Sequence, residues 1–433
     1  MRLLRTGSAA NTAIGSIVTS YKFPADFLWG VAAAGHQIEG FNTQSDLWFC
    51  EQQNPSVFRE KSGIACDSYN RWAEDLDLTK AMNVGVYRMS IEWARIQPTE
   101  DSFDDAEFAH YEAILDGCIA RGLKVSLTMN HFASPHWFAA KAGWLNPDAP
   151  ALFTRYCAEV ARRLGSKVDF IVTFNEPNLP MLLSYMDLPP IVQELNRATM
   201  ESAAKQAGVA KYRTSNVMLD EDYEGYGVGM ENGHVAARAA IKAILPSVPI
   251  GLSIAIIDDQ LVTPDTDPTA RDQKRADCYG RWLRLAKDDD FLGIQNYERM
   301  LYDANGRVEP GPEAIRNSFG NEIYPPSLAN CLEYAHAETG KPVYVTEHGI
   351  NTEDDTQRAW FIPESLKHVS KLIERGVPVW GYTHWSLLDN FEWVFGYGPK
   401  FGLTHVDRQT MARTRKPSSY VLGEIAAANA VTE

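Results

Sequence analysis

The sequence predicts an α/β protein folded as a single (β/α)8 TIM barrel, and three observations predict it. Eight short apolar runs alternate with stretches of helical periodicity, the pattern of a parallel sheet with right-handed crossovers. Eight such units suit a closed barrel. Polar residues stand at or just beyond the C-terminal ends of the apolar runs, which is where such barrels place their chemistry. A doubly wound open sheet would need a topological switch point and usually a phosphate loop, and the sequence offers neither.

Each element follows from local pattern. Residues 27–35 (FLWGVAAAG) read as a short buried strand ending in glycine, with His36, Gln37, Glu39 and Gly40 as a polar cluster at its exit. Helical spacing over 69–82 leads to a strand at 84–91 that carries Arg88. A helix over 108–121 stops at Gly122, and a strand at 124–130 runs straight into His131 and Phe132. A helix at 149–164 precedes a strand ending at Glu176. Residues 179–233 are the least regular. They read as a long, loop-rich excursion with an acidic, aromatic tract, LDEDYEGYGVG, at 219–229. Its glycines do not complete GxGxxG and no strand stands directly before them, which argues against a dinucleotide site. Then come a helix at 234–245, a strand at 249–256, a helix at 274–287, a strand at 291–297 and a helix at 327–339. The strand carrying Glu347, a helix at 363–375 and a last strand at 378–385 complete the count.

The chain has 433 residues and is 45% apolar. Length alone suggests two or three domains, but α/β barrels routinely exceed that prior as one unit. Residues 21–433 are therefore expected to form one barrel domain behind a loose tail at 1–20. That tail carries two arginines but no continuous apolar core, so it does not read as a secretory signal. No apolar run approaches the roughly 18 residues of a spanning helix. The formal charge of −15, from 41 Lys+Arg against 56 Asp+Glu, disfavours nucleic acid and anionic membranes as partners. The six cysteines are scattered without a CxxC pair and read as reduced, packed thiols of a cytoplasmic protein. No feature sets an oligomeric state.

Two stretches carry the chemistry. Residues 341–350 (KPVYVTEHGI) and 169–178 (DFIVTFNEPN) have the same shape, an apolar strand that delivers a glutamate at its C-terminal end. A lone glutamate there could be a surface residue. A repeated one suggests a single site with two carboxylates, Glu176 and Glu347, since a buried carboxylate is costly without partners. Two carboxylates on strand scaffolds are the equipment for glycoside hydrolysis. Standing about 5 Å apart they act as nucleophile and acid, and standing clearly farther apart they leave room for water and invert configuration. Arg88 and Tyr297, also at strand ends, could hold Glu347 ionised. Glu176, after Asn175 and an apolar strand, is in a setting that favours the protonated form. The tract 382–393 (YTHWSLLDNFEW) adds aromatic faces and polar groups suited to a sugar, among them Trp385, Glu392 and Trp393; any single tryptophan is otherwise simple core packing. No HxH or HExxH spacing marks a catalytic metal, no GxSxG elbow occurs, and no cofactor is implied.

These motifs together resemble glycoside hydrolase family 1, the retaining β-glucosidases and their relatives, from about Phe23 to the C-terminus. FLWGVAAAGHQIEG resembles the family's N-terminal signature, YRMSIEWARIQP its second-strand motif, TFNEPN its acid/base motif and YVTEHGI its nucleophile motif. WSLLDNFEW with FGLTHVD is similar to its C-terminal sugar-binding region. The resemblance implies a β-glycoside as the small-molecule substrate, Glu176 as acid/base and Glu347 as nucleophile. It implies Asn175 at the sugar 2-hydroxyl, and Gln37, His131, Glu392 and Trp393 on the other hydroxyls. Trp385 would be the stacking floor and Phe401 would line the C6 side, while Arg88 and Tyr297 would orient Glu347. The chain departs from the family pattern at Phe132, Gln295, Asn296, Asn321 and His348, which bears on substrate preference more than on reaction type. The excursion at 179–233 departs too, and it is expected to border the entrance, with the tract at 220–226 contacting the leaving group. Two alternatives are a sugar-binding relative without activity, which would lack one carboxylate, and a 6-phospho-β-glycosidase. The latter carries serine at Glu392 and phosphate-holding Lys and Tyr at Pro399 and Phe401.

Overall fold

The computed structural model describes residues 20–186 and 188–432. Eight parallel strands close a barrel: β1 (Leu28–Ala32), β2 (Val86–Ser90), β3 (Lys124–Asn130), β4 (Phe170–Asn175), β5 (Ile250–Ala255), β6 (Leu292–Asn296), β7 (Val343–His348) and β8 (Val379–Trp385). They pair in chain order, and β8 returns to β1 with Gly381 opposite Leu28. Every residue of β4 and β7 is buried, as expected of parallel strands covered on one face by helices and on the other by the barrel's own interior. The strand at 124–130 and the helices at 149–164 and 327–339 fall where the sequence places them. The expected tail at 1–20 lies outside the described residues except for Ser20, which pairs with Thr432 in a short antiparallel ribbon. Among the described residues no helix is long and apolar enough to cross a membrane. All six cysteines are buried and unpaired.

Two expectations are corrected. The excursion at 179–233 is largely helical, with helices Leu179–Ser184 and Pro190–Ala207 and the start of a third, Tyr223–Ile244. Gly229 and Gly233, which read as loop, are points of close approach. A Cβ at Gly229 would stand 2.1 Å from the Trp144 carbonyl oxygen, and one at Gly233 would stand 2.8 Å from the Trp144 ring. The cost of glycine in a helix is offset by packing this helix directly against the Trp144 turn and the helix Ala149–Leu164. The other correction concerns Pro363, which lies inside the helix Asp355–Glu374 and does not open it. The start is set by Asp354, whose carboxylate accepts the Thr356 N–H at 3.0 Å, and by burial of Arg358, Phe361 and Ile362 before and at that point.

Candidate active site

The C-terminal ends of β4 and β7 deliver the two glutamates to one cavity of about 400 Å³. Glu176 follows β4 in a left-handed backbone conformation (φ 44°), uncommon for a residue with a side chain and found most often at functional sites. The turn is held from β5. Glu176 N–H donates to the Ser253 carbonyl at 2.8 Å, and Asn178 bonds both the carbonyl (2.7 Å) and the N–H (3.0 Å) of Ala255. Glu347 lies within β7, opposite Gln295 of β6.

The two carboxyl groups differ sharply in their partners. Arg88, fully buried on β2, donates Nη1 to Glu347 Oε1, and Tyr297 Oη donates to Glu347 Oε2 at 2.6 Å. Both oxygens of Glu347 are thus engaged by donors that favour the charged form. The Glu176 carboxyl has no hydrogen-bond partner among the described residues. Burial pushes it well above the usual carboxylate range, and the charge of Glu347 pushes it further. Burial also raises Glu347, but the Arg88 charge and the Tyr297 hydroxyl oppose it. A proton shared between the two belongs on Glu176, since the Arg88 charge reaches both but only Glu347 is hydrogen-bonded by a guanidinium and a hydroxyl.

Around this pair stand the other predicted residues. Asn175, Glu176, His131, Tyr297, Glu347, Trp385, Glu392, Trp393 and Phe401 all line the cavity. His131 stacks near-parallel to Trp385 (5.7 Å between ring centres) and to Trp393 (6.0 Å). Burial and the Arg88 charge lower its pKa well below the ordinary value, so the imidazole is neutral. Burial and the charge of Glu347 push Glu392 up to about 8. The Phe401 ring meets Tyr297 edge-on at 5.7 Å. Gln37 and Arg88 are fully buried beside the cavity and are not part of its lining. Gln37 Nε2 donates to Asn390 Oδ1 (3.2 Å) and the Phe391 carbonyl (2.9 Å), and its Oε1 has no partner.

In the sequence Gln295 stands out only as a departure from the family pattern. The structure places it in the cavity wall, fully buried, with Nε2 donating to Asn175 Oδ1 at 2.7 Å and Ser253 Oγ at 3.1 Å. Arg88 Nη2 donates to the same Asn175 oxygen at 2.6 Å. With that oxygen held by two donors, the Asn175 Nδ2 is left without a partner. The signal was available, because Gln295 and Tyr297 are two apart at a strand end and share a face. The tract at 220–226 is the converse case. It does not line this cavity. Tyr223, Glu224 and Tyr226 border a separate one of about 210 Å³, and Glu221 and Glu224 are tied up in ion pairs with Arg197 and Arg281.

Among the described residues, five buried polar atoms in or beside this cavity have no partner: Gln37 Oε1, His131 Nδ1, Asn175 Nδ2, Gln295 Oε1 and Glu392 Oε1. Buried polar groups are normally hydrogen-bonded, so such a set suits a ligand rich in hydroxyls. A closed (β/α)8 barrel with paired carboxyl groups at strand ends and this lining defines a glycoside hydrolase. The chain belongs, more narrowly, to glycosyl hydrolase family 1, whose family model matches residues 19–239 and 284–431. It is 32% identical to a β-glucosidase of Agrobacterium sp. (strain ATCC 21400) over 92% of this chain and 94% of that one. Among solved structures it is similar to β-glycosidase BGL167, with 40% identity, a TM-score of 0.88 and coverage of 94% of this chain and 97% of that one. The apo structure of a β-glucosidase 1317 matches with 37% identity, a TM-score of 0.88 and coverage of 93% and 98%.

Proposed function

We propose that the protein is a retaining β-glucosidase in which Glu347 is the nucleophile and Glu176 the acid/base. The ionised Glu347 attacks the anomeric carbon while Glu176 gives its proton to the departing oxygen, forming a covalent glycosyl-enzyme. Water, deprotonated by Glu176, then displaces Glu347, and two inversions leave a β product. As the proton leaves Glu176 and the charge of Glu347 is consumed in the ester, the repulsion that raised Glu176 disappears, which prepares it as a base. Asn175 Nδ2 would donate to the 2-oxygen, Gln37, His131, Glu392 and Trp393 would hold the remaining hydroxyls, and Trp385 would be the floor beneath the ring. Phe401 would face C6.

The observation that carries this reading is the asymmetry between a carboxylate with both oxygens engaged and a partnerless, buried carboxyl in the same cavity. An unphosphorylated sugar is favoured, because among the described residues no Lys or Arg lines the cavity to pair with a phosphate. We also take 21–433 to act as one catalytic domain in the cytoplasm. Replacing Glu347 by alanine should abolish turnover of nitrophenyl β-glucoside, and added azide should restore part of it as an α-glucosyl azide. A β-configured product, or near-normal activity in the variant, would contradict the assignment.

A further inference from the structure

The cavity has two chemically different halves. The inner half is lined by His131, Asn175, Gln295 and Glu392, each of which carries an unpartnered buried polar atom, with Gln37 just behind. The outer half is built mainly from carbon. Leu182 and Leu183 follow Leu179 at offsets of three and four, one face of the helix Leu179–Ser184, and with Met186 just beyond its end they line the cavity immediately after the acid/base strand. Ile256 and Ile257, beyond the end of β5, line it as well. The rim leaves large apolar groups in solvent, with Leu188 at 41%, Phe319 at 44% and Phe395 at 41% exposure.

Several polar groups bordering this half are already engaged. Asn317 Oδ1 accepts the Phe319 and Asn321 N–H groups at 2.9 and 3.1 Å and so closes its own turn. Glu298 is bonded to Asn321. A second sugar bound here would bury hydroxyls against leucine, methionine and isoleucine, and an unmatched hydroxyl is costly. A hydrocarbon group would instead cover an exposed apolar patch, which on a protein surface marks a binding site.

We propose that the natural substrates are β-glucosides of apolar alcohols, alkyl or hydrocarbon-ring in character, and that the wall formed by Leu179, Leu182, Leu183 and Met186 binds the aglycone in preference to a second sugar. This rests on the β-glucosidase reading of the inner half. The test is kcat/KM across methyl, butyl and hexyl β-glucosides, with cellobiose for comparison. The alkyl series keeps the basicity of the leaving oxygen nearly constant, so it reports binding of the chain. Each methylene buried should raise kcat/KM up to about fourfold, and hexyl glucoside should exceed both methyl glucoside and cellobiose by at least about tenfold. In the double variant Leu183→Asn, Met186→Asn, the hexyl-to-methyl ratio should fall about tenfold or more. Should that variant not fold, the wild-type series decides alone. A flat series, a ratio unchanged in a folded variant, or cellobiose ahead of hexyl glucoside overturns the proposal while leaving β-glucosidase activity in place. No turnover of any β-glucoside overturns the underlying reading and this proposal with it.

Discussion

Tyr297→Phe isolates one hydroxyl. The ring should remain in place, because its edge-on contact with Phe401 at 5.7 Å does not involve the oxygen. What is lost is the 2.6 Å hydrogen bond to Glu347 Oε2, leaving that oxygen without a protein donor while Arg88 keeps Oε1. A hydrogen bond to a charged group contributes about 1.5–3 kcal/mol, so kcat/KM at the optimum should fall about ten- to 150-fold. The sign of the pH effect is set independently. The hydroxyl favours ionised Glu347, so its removal raises that carboxyl's pKa and moves the acid limb of the profile to higher pH. The alkaline limb, set by loss of the Glu176 proton, should move little by comparison. Profiles of kcat/KM for nitrophenyl β-glucoside between about pH 4 and 9 read both limbs for the free enzyme. A rate loss with the acid limb unmoved, or moved to lower pH, would refute the view that Tyr297 supports an ionised Glu347.

Three further outcomes follow from the geometry. Glu392→Ala should cost glucosides about 2–4 kcal/mol in the transition state by leaving sugar hydroxyls unpaired, and β-xylosides, which lack C6, far less; equal losses would move Glu392 away from the O6 side. Gln295→Ala removes one of the two donors on Asn175 Oδ1 and should lower kcat/KM for glucosides by up to about tenfold, with a smaller loss for 2-deoxyglucosides. Equal losses on both would show that Gln295 does not act through Asn175. Burial and the charge of Glu347 raise folded Glu392 to about 8, against about 4.3 for an unperturbed glutamate. Its share of stability is therefore fully present below the unfolded value and lost as pH rises through the folded one. The Tm should drop between pH 6 and 9, and Glu392→Gln should shrink that drop; a variant with the wild-type pH slope would contradict the shift.

The repeating strand–helix pattern was legible in the sequence, because both elements answer to local rules of period and capping. So were Glu176 and Glu347, since an acidic residue closing an apolar strand is a local signal even when its partner lies 171 residues away (347 − 176). Only the tertiary structure decided what surrounds them. Gly229 and Gly233 read as loop because the packing that accommodates them in a helix, against Trp144, is remote in sequence. The acidic tract looked suited to the entrance, yet arginines from two other helices claim it, and the wall beside Glu176 is formed by leucine and methionine. The difference in surroundings between the two glutamates is likewise decided by the tertiary structure. A pKa is set by burial and by nearby charge, and nothing in the residues adjoining Glu347 shows that Arg88, from a strand 259 residues earlier in the chain, bonds one of its oxygens and none of those of Glu176.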